Sequence, residues 1–167
     1  MTGVSHPLDR FSPASGSVSD VAAALRAAGY RVCSLEDLDR RSEDAPPPTG
    51  ETLEDVLDTL VAADPEYRWQ SSEADLIEIS PLESVLDEPA AASDRPTLVD
   101  ELERHGIAFF DGLAGTEPTL DLPETATTVR ALLNALVVAT GSSAAWHISG
   151  TAGAWFLTIV GVERRSQ

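Results

Sequence analysis

A stripe of apolar residues occurs twice in this chain, and each copy is followed by the same train of features. Leu53, Val56, Leu57, Leu60 and Val61 recur as Val129, Leu132, Leu133, Leu136 and Val137, at a constant shift of 76 positions. A helical period forces similar spacing in any amphipathic helix, so the stripe by itself is weak support for a repeat. The order of the flanking features is more restrictive. Each stripe follows a threonine, Thr52 or Thr128, and leads to a tryptophan, Trp69 or Trp146. Each half then ends in a strand-like apolar run, Leu76–Ile79 and Trp155–Ile159. Upstream, Leu25 and Gly29 match Leu102 and Gly106 at a shift of 77. These features predict an α+β protein of two similar, pseudo-duplicated helix–strand–helix–hairpin units, with small adjacent or merged sheets packed by helices.

Local signals place the elements. Ser17, Thr52 and Thr97 each stand three residues before an acid (Asp20, Asp55, Asp100), the spacing at which a hydroxyl caps a helix N-terminus. Gly29 and Gly106 supply the left-handed stop that ends a helix. Tyr30–Leu35 and Ile107–Phe110 read as strands, and Thr119–Leu122 as a possible edge strand. Tyr67–Ser71 with Asp75–Ser80, and Ala144–Ile148 with Ala154–Val160, read as hairpins. The resulting layout is a disordered lead-in over 1–16, a first unit over 17–81, an acidic Pro/Ala linker over 82–96, a second unit over 97–162 and a tail over 163–167.

Charge limits the partners. The formal net charge is -17, and all 11 basic residues are arginine. Such a surface repels phosphates and anionic lipid heads, which disfavours nucleic acid and membranes as partners. It suits a salt-rich setting, where the Debye length falls to about 3 Å at 1 M, or a basic partner. No apolar run approaches the ~20 residues that span a bilayer. Residues Met1–Gly16 hold no hydrophobic segment of secretory type. As a complete gene product the chain is expected in the cytoplasm, and as an excised domain in the periplasm.

No reaction class is legible. Cys33 is the lone cysteine and sits in a strand, where a small buried hydrophobe is the ordinary role. His6, His105 and His147 lack metal-ligand spacing, and Ser142, Ser143 and Ser149 lack a nucleophile-elbow pattern. Gly112–Gly115 lacks the lysine and helix of a phosphate loop. The carboxylate clusters Glu36-Asp37-Asp39, Glu43-Asp44 and Glu101–Glu103 read as solvated charge. No cofactor or metal is expected. Trp146, His147, Trp155 and Phe156 fall in the second hairpin, where neighbours on a strand point to opposite faces. One of Trp155 and Phe156 is therefore expected at the surface, and His147 opposite to Trp146. These four residues are the candidate binding set.

The run Thr52–Ala63, followed by Tyr67-Arg68-Trp69 and Leu76–Ile79, resembles the short N-terminal domain of secretins and TonB-dependent transducers. Thr128–Ala139, with Trp146 and Ile159, resembles it again. The resemblance covers most of both units but rests on cap and core positions. It implies a non-catalytic domain that binds protein partners in the bacterial envelope.

The reading that results is a non-enzymatic module binding another protein or peptide at a sheet edge or hairpin face. One alternative is a small enzyme or ligand-binding protein with a pocket between the units, using His105 or His147 with nearby carboxylates. The other is an accessory structural domain. The sequence leaves the oligomeric state open.

Overall fold

The computed structural model describes residues 8, 11–40, 47–72, 75–90, 98–109, 128–140 and 143–162. The expected edge strand at 119–122, Phe110, the second half of the linker, the Thr97 cap, the 163–167 tail and most of the lead-in lie outside these residues. The described elements are α1 (Val18–Ala27), β1 (Val32–Asp37), α2 (Leu53–Ala63), β2 (Tyr67–Ser71), β3 (Ile77–Pro81), α3 (Leu98–Arg104), β4 (Ile107–Phe109), α4 (Val129–Thr140), β5 (Ala144–Thr151) and β6 (Ala154–Gly161). No described helix is long and apolar enough to cross a membrane.

The helices begin where hydroxyl caps place them. Ser17 accepts from the Asp20 amide, Thr52 from that of Asp55 and Thr128 Oγ1 from that of Ala131, each at 3.2 Å. At α1 the reciprocal half of the box is missing. Asp20 Oδ2 instead accepts from Ser15 Oγ at 2.6 Å. Gly29 (φ 97°) and Gly106 (φ 77°) end the turns after α1 and α3 in the left-handed region, where a Cβ is strained.

All six strands form one mixed sheet in the order β2-β3-β1-β5-β6-β4. Of the adjacent or merged sheets that the sequence allows, the merged form is found, because β1 pairs in parallel with β5, Ser34 opposite His147 and Leu35 opposite Ile148. To one side of that joint, β3 is antiparallel to β2 and parallel to β1. To the other, β6 is antiparallel to β5 and parallel to β4. The order within each triplet is the same while the strand directions are reversed. A half-turn about an in-plane axis across the strands, with a shift along that axis, relates two such triplets, and it also exchanges the faces of the sheet.

The two apolar cores follow that geometry. One, on the face carrying Val32, Ile77 and Ile79, takes Val21 and Leu25 of α1 and Val56, Leu57 and Leu60 of α2. The other, on the face carrying Trp146, Ile148, Trp155, Leu157 and Ile159, takes Leu102 of α3 and Leu132, Leu133, Leu136 and Val137 of α4. Cys33 and Leu35 point from β1 into this second core, so the first triplet helps to build the core of the other half. The stretch expected as the start of a linker does the same. Ser84 Oγ caps a 3-10 turn at Val85–Asp87, whose Val85 and Leu86 are buried in the second core. Pro89 then bridges to Thr128.

An ionic clip fastens the halves. Arg130, at the start of α4, lies 2.9 Å from Glu78 on β3 and also pairs with Asp87. Gln70 donates to the other Glu78 oxygen at 3.2 Å. Glu78 is 1% exposed, and a carboxylate so buried persists only when paired and hydrogen-bonded.

Candidate functional site

The four candidate residues separate by strand alternation. Trp146 and Trp155 turn inward, at 0% and 6% exposure, and are core residues. Trp146 Nε1 donates to Asn134 Oδ1 on α4 at 2.8 Å, which satisfies the one polar atom its burial would strand. His147 and Phe156 turn to the opposite face. Phe156 is 51% exposed, next to Ala108 and Ala154, which are also exposed. The hairpin therefore presents one aromatic ring outward and hides two. The candidate residues do not form one cluster.

His147 sits at the joint of the triplets. Its Nδ1 is 2.9 Å from Ser34 Oγ on β1. Burial, with the Arg26 charge second, holds its pKa down at about 4, so the ring is neutral at pH 7. A serine hydroxyl beside a neutral imidazole is the pairing used in nucleophilic catalysis. Here Ser34 has no exposed surface, so no substrate reaches its oxygen. Glu36, on the same face, is 2% exposed and accepts from the Ser19 amide of α1 at 2.8 Å. The reading of Glu36 as solvated charge is corrected: it is tied to the start of α1, where the free amides and the helix dipole favour a carboxylate. Arg26, 7% exposed, donates to the Val32 carbonyl at 2.9 Å, and burial lowers its pKa to about 10.

His105 lies just after α3, between two carboxylates. Nδ1 is 2.7 Å from Glu88, and Nε2 is 3.2 Å from Glu101. Glu101 is fully buried and also accepts from Arg104 at 2.6 Å, which corrects its reading as solvated charge. His105, Glu88 and Arg104 border an open cavity of about 680 Å³ lined also by Pro89, Glu103, Gly106 and Gly153. Its walls come from the second half and the end of the connector. It does not lie between the two halves.

Cys33 has no exposed surface, and burial pushes its thiol up to about 12. Such a thiol is inert as a nucleophile. Among the described residues no group of three or more His, Cys, Asp and Glu is placed to hold a metal ion.

Trp69 was not among the candidate residues read from the sequence. It stands on β2, an outer strand of the sheet, half-buried, with Nε1 donating to Asp58 on α2 at 3.0 Å. The signal was present in its match to Trp146, but only the sheet order shows that it lies at an edge. No protein-family model matches the chain, and no curated protein or solved structure matches it.

Proposed function

We propose that this chain is a non-enzymatic protein-interaction module built by duplication of one helix–strand–helix–hairpin unit, and that it binds its partner through the sheet. The observation that carries the binding reading is Phe156, a large ring half exposed on a sheet face beside exposed Ala108 and Ala154. The main nucleophile–base pair, Ser34 with His147, is closed to substrate.

Several equivalent contacts support the duplication. Both tryptophans pair with an isoleucine across their hairpins, Trp69 with Ile79 and Trp146 with Ile159. Both donate their indole N–H to the helix before them, to Asp58 and Asn134, which stand 76 positions apart. The same element order and strand order occur in both halves. The resemblance to the short N-terminal domain of secretins and TonB-dependent transducers fits this reading and would set it in the bacterial envelope.

A photo-crosslinking residue at position 156 tests the binding reading. A discrete adduct from 156, absent when the same residue is placed at exposed position 138, supports a partner on this face. Equal, diffuse labelling from both positions would refute it. The second reading, a ligand-binding or catalytic pocket, has one observation in its favour: His105 held between Glu88 and Glu101 beside an open cavity. Ligand-induced shifts confined to His105, Glu88 and Gly153 in a small-molecule screen by NMR would favour it instead.

A further inference from the structure

We infer that the outer edge of β2 is a receptor for one extended segment of a partner protein, running parallel to β2 and carrying apolar and basic side chains. This inference rests on the interaction-module reading and names a site for it distinct from Phe156. The molecule contains a filled version of the same edge. In the second half the corresponding strand, β5, receives β1 in parallel, and Cys33 and Leu35 of β1 join the core around Trp146. With that neighbour in place Trp146 has no exposed surface. In the first half β2 ends the sheet, no described strand pairs with its outer side, and Trp69 in the matching place stays half-buried.

An outer strand offers unpaired backbone N–H and C=O groups, which bind extended peptides by strand addition. The filled edge shows the form the addition takes: a parallel strand with small or aliphatic residues flanking the indole. The charge of the partner follows from what borders the open edge. Asp58 accepts from Trp69, Asp64 stands at the end of α2, and exposed Glu66 precedes β2. Arg68, the strand's own cation, is engaged with Asp87. Lysine or arginine on the incoming segment is therefore favoured, and a second copy of this chain, at -17, is opposed by charge.

The probe is a synthetic peptide copying Arg31–Asp37 with Cys33→Ala, Glu36→Lys and Asp37→Lys, added to the intact protein and followed by NMR. The expected result is a shift of the Trp69 indole signal and about tenfold slower exchange of alternate β2 amides, with Ala108 and Phe156 unmoved. The same peptide N-methylated at alternate amides on its pairing edge should lose the effect, and the unmodified acidic peptide should bind at least about tenfold more weakly. No change at Trp69 and β2 with millimolar basic peptide overturns the edge site. Shifts confined to Ala108 and Phe156 also overturn it, while leaving the interaction-module reading intact. Concentration-dependent protection of β2 in the protein alone, with a doubled mass by light scattering, overturns it in favour of a second copy.

Discussion

Trp69 and Trp146 hold matching positions in two halves of one chain, yet one is half-buried and the other has no exposed surface. The helix beside each tryptophan, the indole hydrogen bond and the cross-strand isoleucine are alike. What differs is the neighbour on the open side of the hairpin. Trp146 has β1 next to its strand, and Trp69 has nothing described beyond β2. Burial of an aromatic ring is thus decided by the joining of the halves, a property that neither half possesses alone. The edges joined are of different kinds, and joining them leaves one of each kind at the ends of the sheet. Such a contact does not close on itself.

Truncating the two rings should separate the halves most strongly. Trp146→Ala is expected to cost ~3–5 kcal/mol in urea unfolding, from lost burial plus a cavity, and Trp69→Ala only ~1–2. Equal costs would mean that the two environments are the same. Next comes the clip that spans the joint. Arg130→Met leaves Glu78 buried without its cation and should cost ~3 kcal/mol, whereas Arg68→Met, at an exposed pair, should cost less than ~1. If Arg130→Met unfolds like wild type, Glu78 is solvated and the halves are not clipped there.

His147 reports the joint through pH. Its pKa is held near 4, below the unfolded value of 6.5, so in that window the unfolded chain binds a proton that the native state does not. Stability tied to this group is full above pH 6.5 and is lost as pH falls toward 4. His147→Gln should flatten this dependence by roughly 2–3 kcal/mol at pH 4 relative to wild type. Parallel pH curves for the two proteins would show a solvated imidazole. The smallest expected effect is that of salt. Screening of the -17 charge should raise the melting temperature by a few degrees between low salt and about 1 M. A flat or falling melting temperature would remove the argument for a salt-adapted surface.

Local features of the fold were legible in the sequence because local chemistry fixes them. The caps at Ser17 and Thr52 and the glycine stops at 29 and 106 act within a few residues. So does the alternation that sets Phe156 outward and Trp155 inward. The joint was not legible, since the pairing of Ser34 with His147 links residues 113 apart and no periodicity encodes which edges meet. The buried carboxylates were misread for a related reason. Glu36 and Glu101 look like members of acidic clusters until the fold brings the Ser19 amide, Arg104 and His105 to them. Val85 and Leu86 were hidden by the composition of their surroundings, an acidic Pro/Ala stretch that contributes two side chains to the core. The edge position of Trp69 likewise emerges only from the sheet order.

One sheet edge is filled and its counterpart, among the described residues, is open, and the exchange of the indole N–H protons reads both in the native protein. Each proton is hydrogen-bonded to a helix side chain, so the bond alone does not set the difference. With β1 beside it, the Trp146 proton should exchange at least about a hundredfold more slowly than that of Trp69, and the basic strand peptide should slow only Trp69. Equal rates for the two protons, or a Trp69 rate that the peptide leaves unchanged, would contradict the account.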